Sequence, residues 1–163
     1  VVPSISPSMD IQVSSNFERL LFDLYDREPM AVSGLMEELS EAGGFALAQG
    51  ARDRLAERFA SGRADEDETR AAIAAAARST GEILCPHTAV GLHVADAHLG
   101  ATPMVTLATA HAAKFPDAVE AATGTRPDLP PHMSDLFDRE ERILHAPNDL
   151  GAIEALIRER CRA

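Results

Sequence analysis

The chain has 163 residues and a mass of 17.4 kDa, which is long enough for one domain with a substantial core. Its net charge of −11 and isoelectric point near 4.9 argue against nucleic acid or an anionic membrane as a partner. Only 4% of the residues are aromatic and there is no Trp, so the core must be built from Ala, Leu, Ile and Val.

The first half of the chain predicts an opening loop and four helices. Residues 1–14 are rich in Pro and Ser and predict a loop. Ser15 and Glu18 are spaced as a capping box, and the helix they open has apolar residues at helical spacing. The four helices are predicted at about 16–25, at 29–41 with Gly43–Gly44 as the stop, at 51–60, and from a second capping box, Asp65 and Glu68, to about Gly81. The apolar stripe of the first helix is Phe17, Leu20, Leu21 and Leu24.

The second half predicts a helix, one strand and further helices. Pro86 is placed to open a helix that reaches about His98, and the apolar run Met104–Leu107 is typical of a buried strand. Helices are predicted at 116–123, closed by Gly124, and at about 134–142. Asn148 or Asp149 caps a last helix. That helix is expected to bury Leu150, Ile153 and Ile157.

This pattern predicts an α/β fold in which most of the sheet is missing. A single strand cannot form a sheet, so its neighbours are expected in chain outside this sequence. The chain begins at Val1 rather than Met, which agrees with a piece of a longer protein. We divide it into four segments: the opening loop 1–14, a helical segment 15–81, a helix–strand–helix segment 82–124 and closing helices 125–163.

The turn after the predicted strand collects polar side chains. Thr109, His111 and Lys114 follow its carboxyl end, where ligands usually bind in open α/β sheets. Lys114 is the only lysine, whereas 14 basic residues are arginine. One interpretation is a Schiff-base lysine that carries pyridoxal phosphate; the other is a compositional bias toward arginine.

Metal and nucleophile patterns are weak. His87, His93 and His98 share one predicted helix, but no pair has the i, i+4 spacing that lets two imidazoles bind one zinc ion, so we expect no metal site. Cys85 and Cys161 form no CxxC pattern, and two cysteines fit a reducing cytoplasm. The sequence has no signal peptide and no apolar run near the ~20 residues of a membrane span.

Four motifs in a fixed order resemble those of the threonine synthase family. They are Ser6–Phe22, Pro86–Gly91, Leu107–Pro116 and the weaker Pro147–Asp149. The resemblance covers nearly the whole chain and implies the C-terminal part of a two-domain enzyme of the tryptophan-synthase-like fold. Such enzymes use pyridoxal 5′-phosphate to convert O-phospho-L-homoserine and water to L-threonine and phosphate.

The resemblance also assigns residues. The family's Schiff-base lysine and phosphate-binding loop match no position here and are expected upstream of Val1, so Lys114 is not that lysine and the chain alone is expected to be inactive. The family's threonine beside the pyridine nitrogen of the cofactor matches Thr109. A hydroxyl there hydrogen-bonds the nitrogen without enforcing its protonation. The residues that remain candidates for lining the site are His111, Lys114, His87, Thr88, Ser8 and Asp10.

Two positions depart from the family pattern. Cys85 stands where relatives commonly have an acidic residue, and Ala112 stands where proline is frequent. We expect neither to touch a residue that is assigned to the chemistry. Two other functions stay open: a non-catalytic helical interaction domain, or another enzyme of the same cofactor fold such as a threonine dehydratase.

Overall fold

The computed structural model describes residues 2–161 and divides the chain into two compact units, one up to Asp128 and one from Leu129. The first unit contains six α-helices and the second contains one. They are α1 (Ser15–Leu24), α2 (Pro29–Ala42), α3 (Gln49–Ala56), α4 (Glu66–Thr80), α5 (Pro86–Asp96), α6 (Pro116–Thr123) and α7 (Leu150–Arg160). Among the described residues, no helix combines the length and the apolar character that a membrane span requires.

Helices α1, α2 and α3 enclose a small apolar cluster. Its buried members are Leu21, Leu24, Val32, Leu35 and Ala51. The predicted stripe of α1 is confirmed at Leu21 and Leu24, whereas Phe17 is 39% exposed. The predicted capping box is wrong, because Ser14 rather than Ser15 is the N-cap and it makes no side-chain cap bond.

Helix α4 is the centre of the second cluster and packs against α5 and α6. Its start is the predicted capping box, with Asp65 accepting from the Glu68 N–H and the Glu68 carboxylate accepting from the Asp65 N–H, each at 2.8 Å. Ile73, Ala89 and Val119 are each 0% exposed in these three helices. The small side chains Ala76 and Ala89 leave room for the helices to approach closely.

Close contacts hold two loops to α5. A Cβ added at Gly62 would meet Val94 Cγ1 at 2.8 Å, so the segment between α3 and α4 lies against this helix. A Cβ added at Gly91 would meet Thr106 Cγ2 at 3.4 Å, an ordinary contact distance. The segment that carries Thr106 therefore packs on α5 and leads directly into the turn at residue 109.

The predicted strand at Met104–Leu107 is wrong for the part of the chain that is described, which contains no β-strand. Val105 is 78% exposed and Leu107 74% exposed, on either side of the half-buried Thr106. A strand needs a hydrogen-bonding neighbour, and none of the described segments pairs with this one. The fold of the described chain is therefore helical.

The second unit contains less regular structure than predicted. The helix expected at 134–142 is replaced by two 3₁₀ turns, Pro131–Met133 and Leu136–Asp138. Helix α7 begins as predicted, with the Asp149 carboxylate accepting from the Ala152 N–H at 2.8 Å. Its apolar residues are not buried: Leu150, Ile153 and Ile157 are 73%, 38% and 53% exposed. The cap residue next to the helix is therefore enough to fix where α7 begins, while its apolar side chains stay exposed within the described chain.

Candidate functional site

A hydrogen bond joins the first turn of α5 to the polar turn at residue 109. The Thr109 N–H donates to Thr88 Oγ1 at 3.2 Å, although the two residues are 21 positions apart. Thr88 is 5% exposed, whereas Thr109 is an exposed residue. Thr88 and Thr109 belong to different sequence motifs but are in contact here. Thr88 is buried and Thr109 is accessible.

His87 joins the opening loop to the segment before α6. Its Nε2 accepts the Ser8 N–H at 3.0 Å, and its ring lies 4.6 Å from that of Phe115 between centroids. Because Nε2 is the acceptor, the proton of the neutral imidazole is on Nδ1, which has no hydrogen-bond partner among the described residues. His87 is only 7% exposed within the described chain.

The electrostatic surroundings favour a neutral His87. Burial lowers the pKa of His87 below its ordinary value, and the positive charge of Lys114 lowers it further, while Asp10 acts in the opposite direction. The neutral form is the one that can accept from Ser8. The charge state and the hydrogen bond are therefore consistent with each other.

The opening loop is tied back on itself and onto α4. The Asp10 carboxylate accepts from the Ser4 N–H at 2.6 Å and from the Ser4 hydroxyl at 2.8 Å. The Ile5 N–H donates to Glu66 Oε1 at 2.9 Å. Asp10 thus braces the loop, and it leaves Ser8 exposed in a short 3₁₀ turn, Pro7–Met9.

His111 and Lys114 lie on a 3₁₀ turn, Ala112–Lys114, that precedes α6. His111 caps this turn through Nδ1, which accepts the Ala113 N–H at 3.2 Å, so the Nε2 of the neutral ring carries the proton. The Lys114 ammonium is 5.9 Å from the centroid of the Phe115 ring, near the outer limit of a cation–π contact. Both residues are exposed, so each offers a donor to a ligand.

Cys85, which departs from the family pattern, lies against Thr88, one of the candidates for lining the site. Its sulfur lies 3.1 Å from Thr88 Oγ1 and accepts the Thr88 N–H at 3.4 Å, which makes it the N-cap of α5. Sequence reasoning also missed Phe115 as the ring against His87. The signal for Cys85 was its place directly before a proline at the first helical position, where a cap residue is expected.

One cavity lies away from these residues. A cavity of about 760 Å³ between α1 and α2 is lined by residues such as Glu18, Arg19, Phe22 and Met36, and by none of the predicted site residues. In residues 2–161, no group of three or more His, Cys, Asp or Glu side chains is arranged to hold a metal ion. The chemically distinctive place is the polar turn beside the start of α5.

Comparison with known proteins agrees with the sequence motifs. The family profile described as threonine synthase, C-terminal, matches residues 88–157. Threonine synthase from Pseudomonas aeruginosa is 46% identical over 158 residues, which are 95% of this chain and 34% of that protein. Threonine synthase from Corynebacterium glutamicum is 37% identical over 157 residues, or 93% of this chain and 33% of that protein. The chain thus spans about a third of the length of these relatives.

Solved structures agree as well. The crystal structure of threonine synthase with bound pyridoxal phosphate from Brucella melitensis has a TM-score of 0.85 and 46% identity, and it covers 100% of this chain and 35% of its own. The yeast threonine synthase structure has a TM-score of 0.75 and 28% identity, and it covers 98% of this chain and 36% of its own. Over nearly its whole length, the chain is similar to the C-terminal part of threonine synthases.

Proposed function

We propose that the complete polypeptide carrying this chain is a threonine synthase, a lyase that converts O-phospho-L-homoserine and water to L-threonine and phosphate with pyridoxal 5′-phosphate. One observation carries most of this proposal. The whole chain superposes on a pyridoxal-phosphate-bound threonine synthase, at 46% identity and a TM-score of 0.85. The polar turn 109–114 lies within the matched region.

Thr109 suits the ring nitrogen of the cofactor. Its backbone is held through the N–H, its side chain is exposed, and its hydroxyl has no hydrogen-bond partner within residues 2–161. When bound, pyridoxal phosphate supplies an electron sink for negative charge that develops on the substrate. The Thr109 hydroxyl donates to or accepts from the ring nitrogen without forcing it to be protonated, which moderates that sink.

Three other exposed residues are proposed to line the same site. His111 presents an Nε2–H, Lys114 presents an ammonium group on a long stem, and Ser8 presents a hydroxyl from the opening loop. Lys114 and His111 are suited to an anionic part of the substrate, since both donate hydrogen bonds. Asp10 and His87 are proposed to support the site indirectly. Asp10 holds the opening loop through Ser4, and His87 joins that loop to Phe115.

The rest of the active site is proposed to come from chain outside this sequence. That chain would supply the lysine that binds the cofactor covalently, the contacts to its phosphate and the remainder of the sheet. The exposed apolar residues of Met104–Leu107 agree with a partner segment there, because apolar side chains in an extended segment are stabilised by burial.

The test is an assay of the complete polypeptide. With pyridoxal phosphate and O-phospho-L-homoserine, we expect equal amounts of threonine and phosphate to be formed. The 163-residue chain, assayed in parallel, is expected to form neither. Threonine formation by this chain alone would contradict the division of the site between the two parts.

The same assay separates the alternatives. A dehydratase would release ammonia from threonine or serine and would ignore phosphohomoserine. A non-catalytic interaction domain would leave all three compounds unchanged and would bind no pyridoxal phosphate. Either result would reject the proposed function.

A further inference from the structure

Thr88 is the link between the buried start of α5 and the exposed turn. Its hydroxyl accepts the Thr109 N–H at 3.2 Å and lies 3.1 Å from Cys85 Sγ. Its own N–H donates to the same sulfur at 3.4 Å. Thr88 is 5% exposed and Cys85 is 1% exposed, so bulk water does not compete for these bonds.

The direction of two of these bonds follows from the atoms, since both backbone N–H groups are donors. The Thr88 oxygen accepts the Thr109 N–H and the Cys85 sulfur accepts the Thr88 N–H. In the third bond, either the hydroxyl or the thiol is the donor. One side-chain rotamer of Thr88 satisfies all three bonds, and a buried network whose members are all satisfied is rigid.

The turn depends strongly on this network. In the described chain, the Thr109 N–H is the one backbone group between residues 99 and 110 that makes a hydrogen bond. This segment also contributes no helix or strand. The position of the Thr109 side chain is therefore set by the bond to Thr88, together with the packing of Thr106 on α5.

We propose that Thr88 is a positioning residue for Thr109, with Cys85 fixing the Thr88 rotamer. Thr88, a candidate for lining the site, is 5% exposed within the described chain. It acts through the backbone of Thr109 and so determines where that hydroxyl meets the cofactor ring. The effect on catalysis rests on the proposed function, whereas the anchoring of residue 109 does not.

The first experiment measures the anchor itself, in the complete polypeptide without cofactor. Thr88→Val removes the hydroxyl and keeps the shape, Thr88→Ser keeps the hydroxyl, and Thr123→Val removes a hydroxyl that bonds within and after α6. We expect hydrogen exchange at the Thr109 amide to be at least ~10-fold faster in Thr88→Val, since an unprotected exposed amide exchanges freely. Thr88→Ser and Thr123→Val are expected to match the wild type. Equal exchange in Thr88→Val and the wild type would overturn the proposal.

The second experiment uses the enzyme with bound cofactor. We expect Thr88→Val to lower kcat by roughly 10- to 100-fold with a smaller change in KM, because misplacing a positioned group by about 1 Å has effects of this size. The visible circular dichroism of the cofactor should change in Thr88→Val and return in Thr88→Ser. Faster exchange with unchanged kcat would overturn the catalytic part. If the wild-type protein formed no threonine, the proposed function would fail, and the exchange result would still decide whether Thr88 holds residue 109.

Discussion

The first turn of α5 and the turn at residues 109–114 contain similar side chains but are buried to opposite extents. Cys85, His87 and Thr88 are 1%, 7% and 5% exposed. Thr109, His111 and Lys114 are all exposed. A group that touches a ligand must be reachable, whereas a group that holds another in place works best where water cannot compete. Similar residue types therefore lie in two different environments, and we propose a different task for each.

The largest expected effect tests the buried side of this comparison. Ile73 is 0% exposed on α4, the helix that supports α5 and α6. We expect Ile73→Ala to lower the free energy of unfolding by about 2–5 kcal/mol, because it leaves a cavity. Met30, which is 74% exposed on α2, provides the control, and Met30→Ala should change that free energy by less than about 0.5 kcal/mol. Urea unfolding followed by circular dichroism measures both, and equal effects would contradict the assignment of the core.

The next effect tests the exposed side. In the complete polypeptide, we expect Thr109→Val to lower kcat for phosphohomoserine by about 10- to 100-fold, since it removes the polar contact proposed between this residue and the cofactor. The free energy of unfolding should stay within about 0.5 kcal/mol of the wild type, because the side chain is exposed. Thr109→Ser, which keeps the hydroxyl, should retain most of the activity. A loss of stability comparable to that of Ile73→Ala would place Thr109 with the buried group instead.

The smallest expected effect concerns how the free energy of unfolding depends on pH through His87. The pKa of His87 is lowered in the folded protein, chiefly by burial and then by Lys114, so the unfolded chain takes up its proton first as the pH falls. The stability that neutral His87 contributes is therefore present above its ordinary pKa of 6.5 and is lost as the pH falls through the lowered value. We expect this loss to be roughly 1 kcal/mol, the size of one hydrogen bond.

Urea unfolding between pH 7.5 and pH 5 measures this dependence, and His87→Gln is the comparison. The variant cannot titrate at this position, so its stability should fall less steeply toward acid than that of the wild type. Parallel pH profiles would show that the Ser8–His87 bond does not depend on the charge of the imidazole.

Much of the helical structure was predictable from short-range signals. Two helices begin as expected, α4 at the capping box Asp65–Glu68 and α6 at Pro116. Three helices end as expected at glycines in the left-handed conformation, namely Gly43, Gly81 and Gly124. Each signal acts within a few residues of itself, so it needs no information about the rest of the fold. The candidate site residues were predicted on another basis, namely the resemblance of whole motifs.

Predictions that depended on distant partners were less successful. The apolar run at Met104–Leu107 has the composition of a strand, but a strand requires a neighbour that the described chain does not contain. The apolar residues of α7 are correctly spaced for burial, yet they remain exposed. Apolar spacing states which residues can be buried, and a packing partner decides whether they are.

The sequence by itself determined where most helices begin and end, and its ordered motifs determined the resemblance to threonine synthases. Both are local properties of the chain, because caps, prolines, glycines and motif residues act over short stretches. Only the tertiary structure decided that Thr88 and His87 are buried while Thr109, His111 and Lys114 are exposed. That division depends on α5 packing against α4 and on a hydrogen bond across 21 positions, and no local signal in the sequence specifies either.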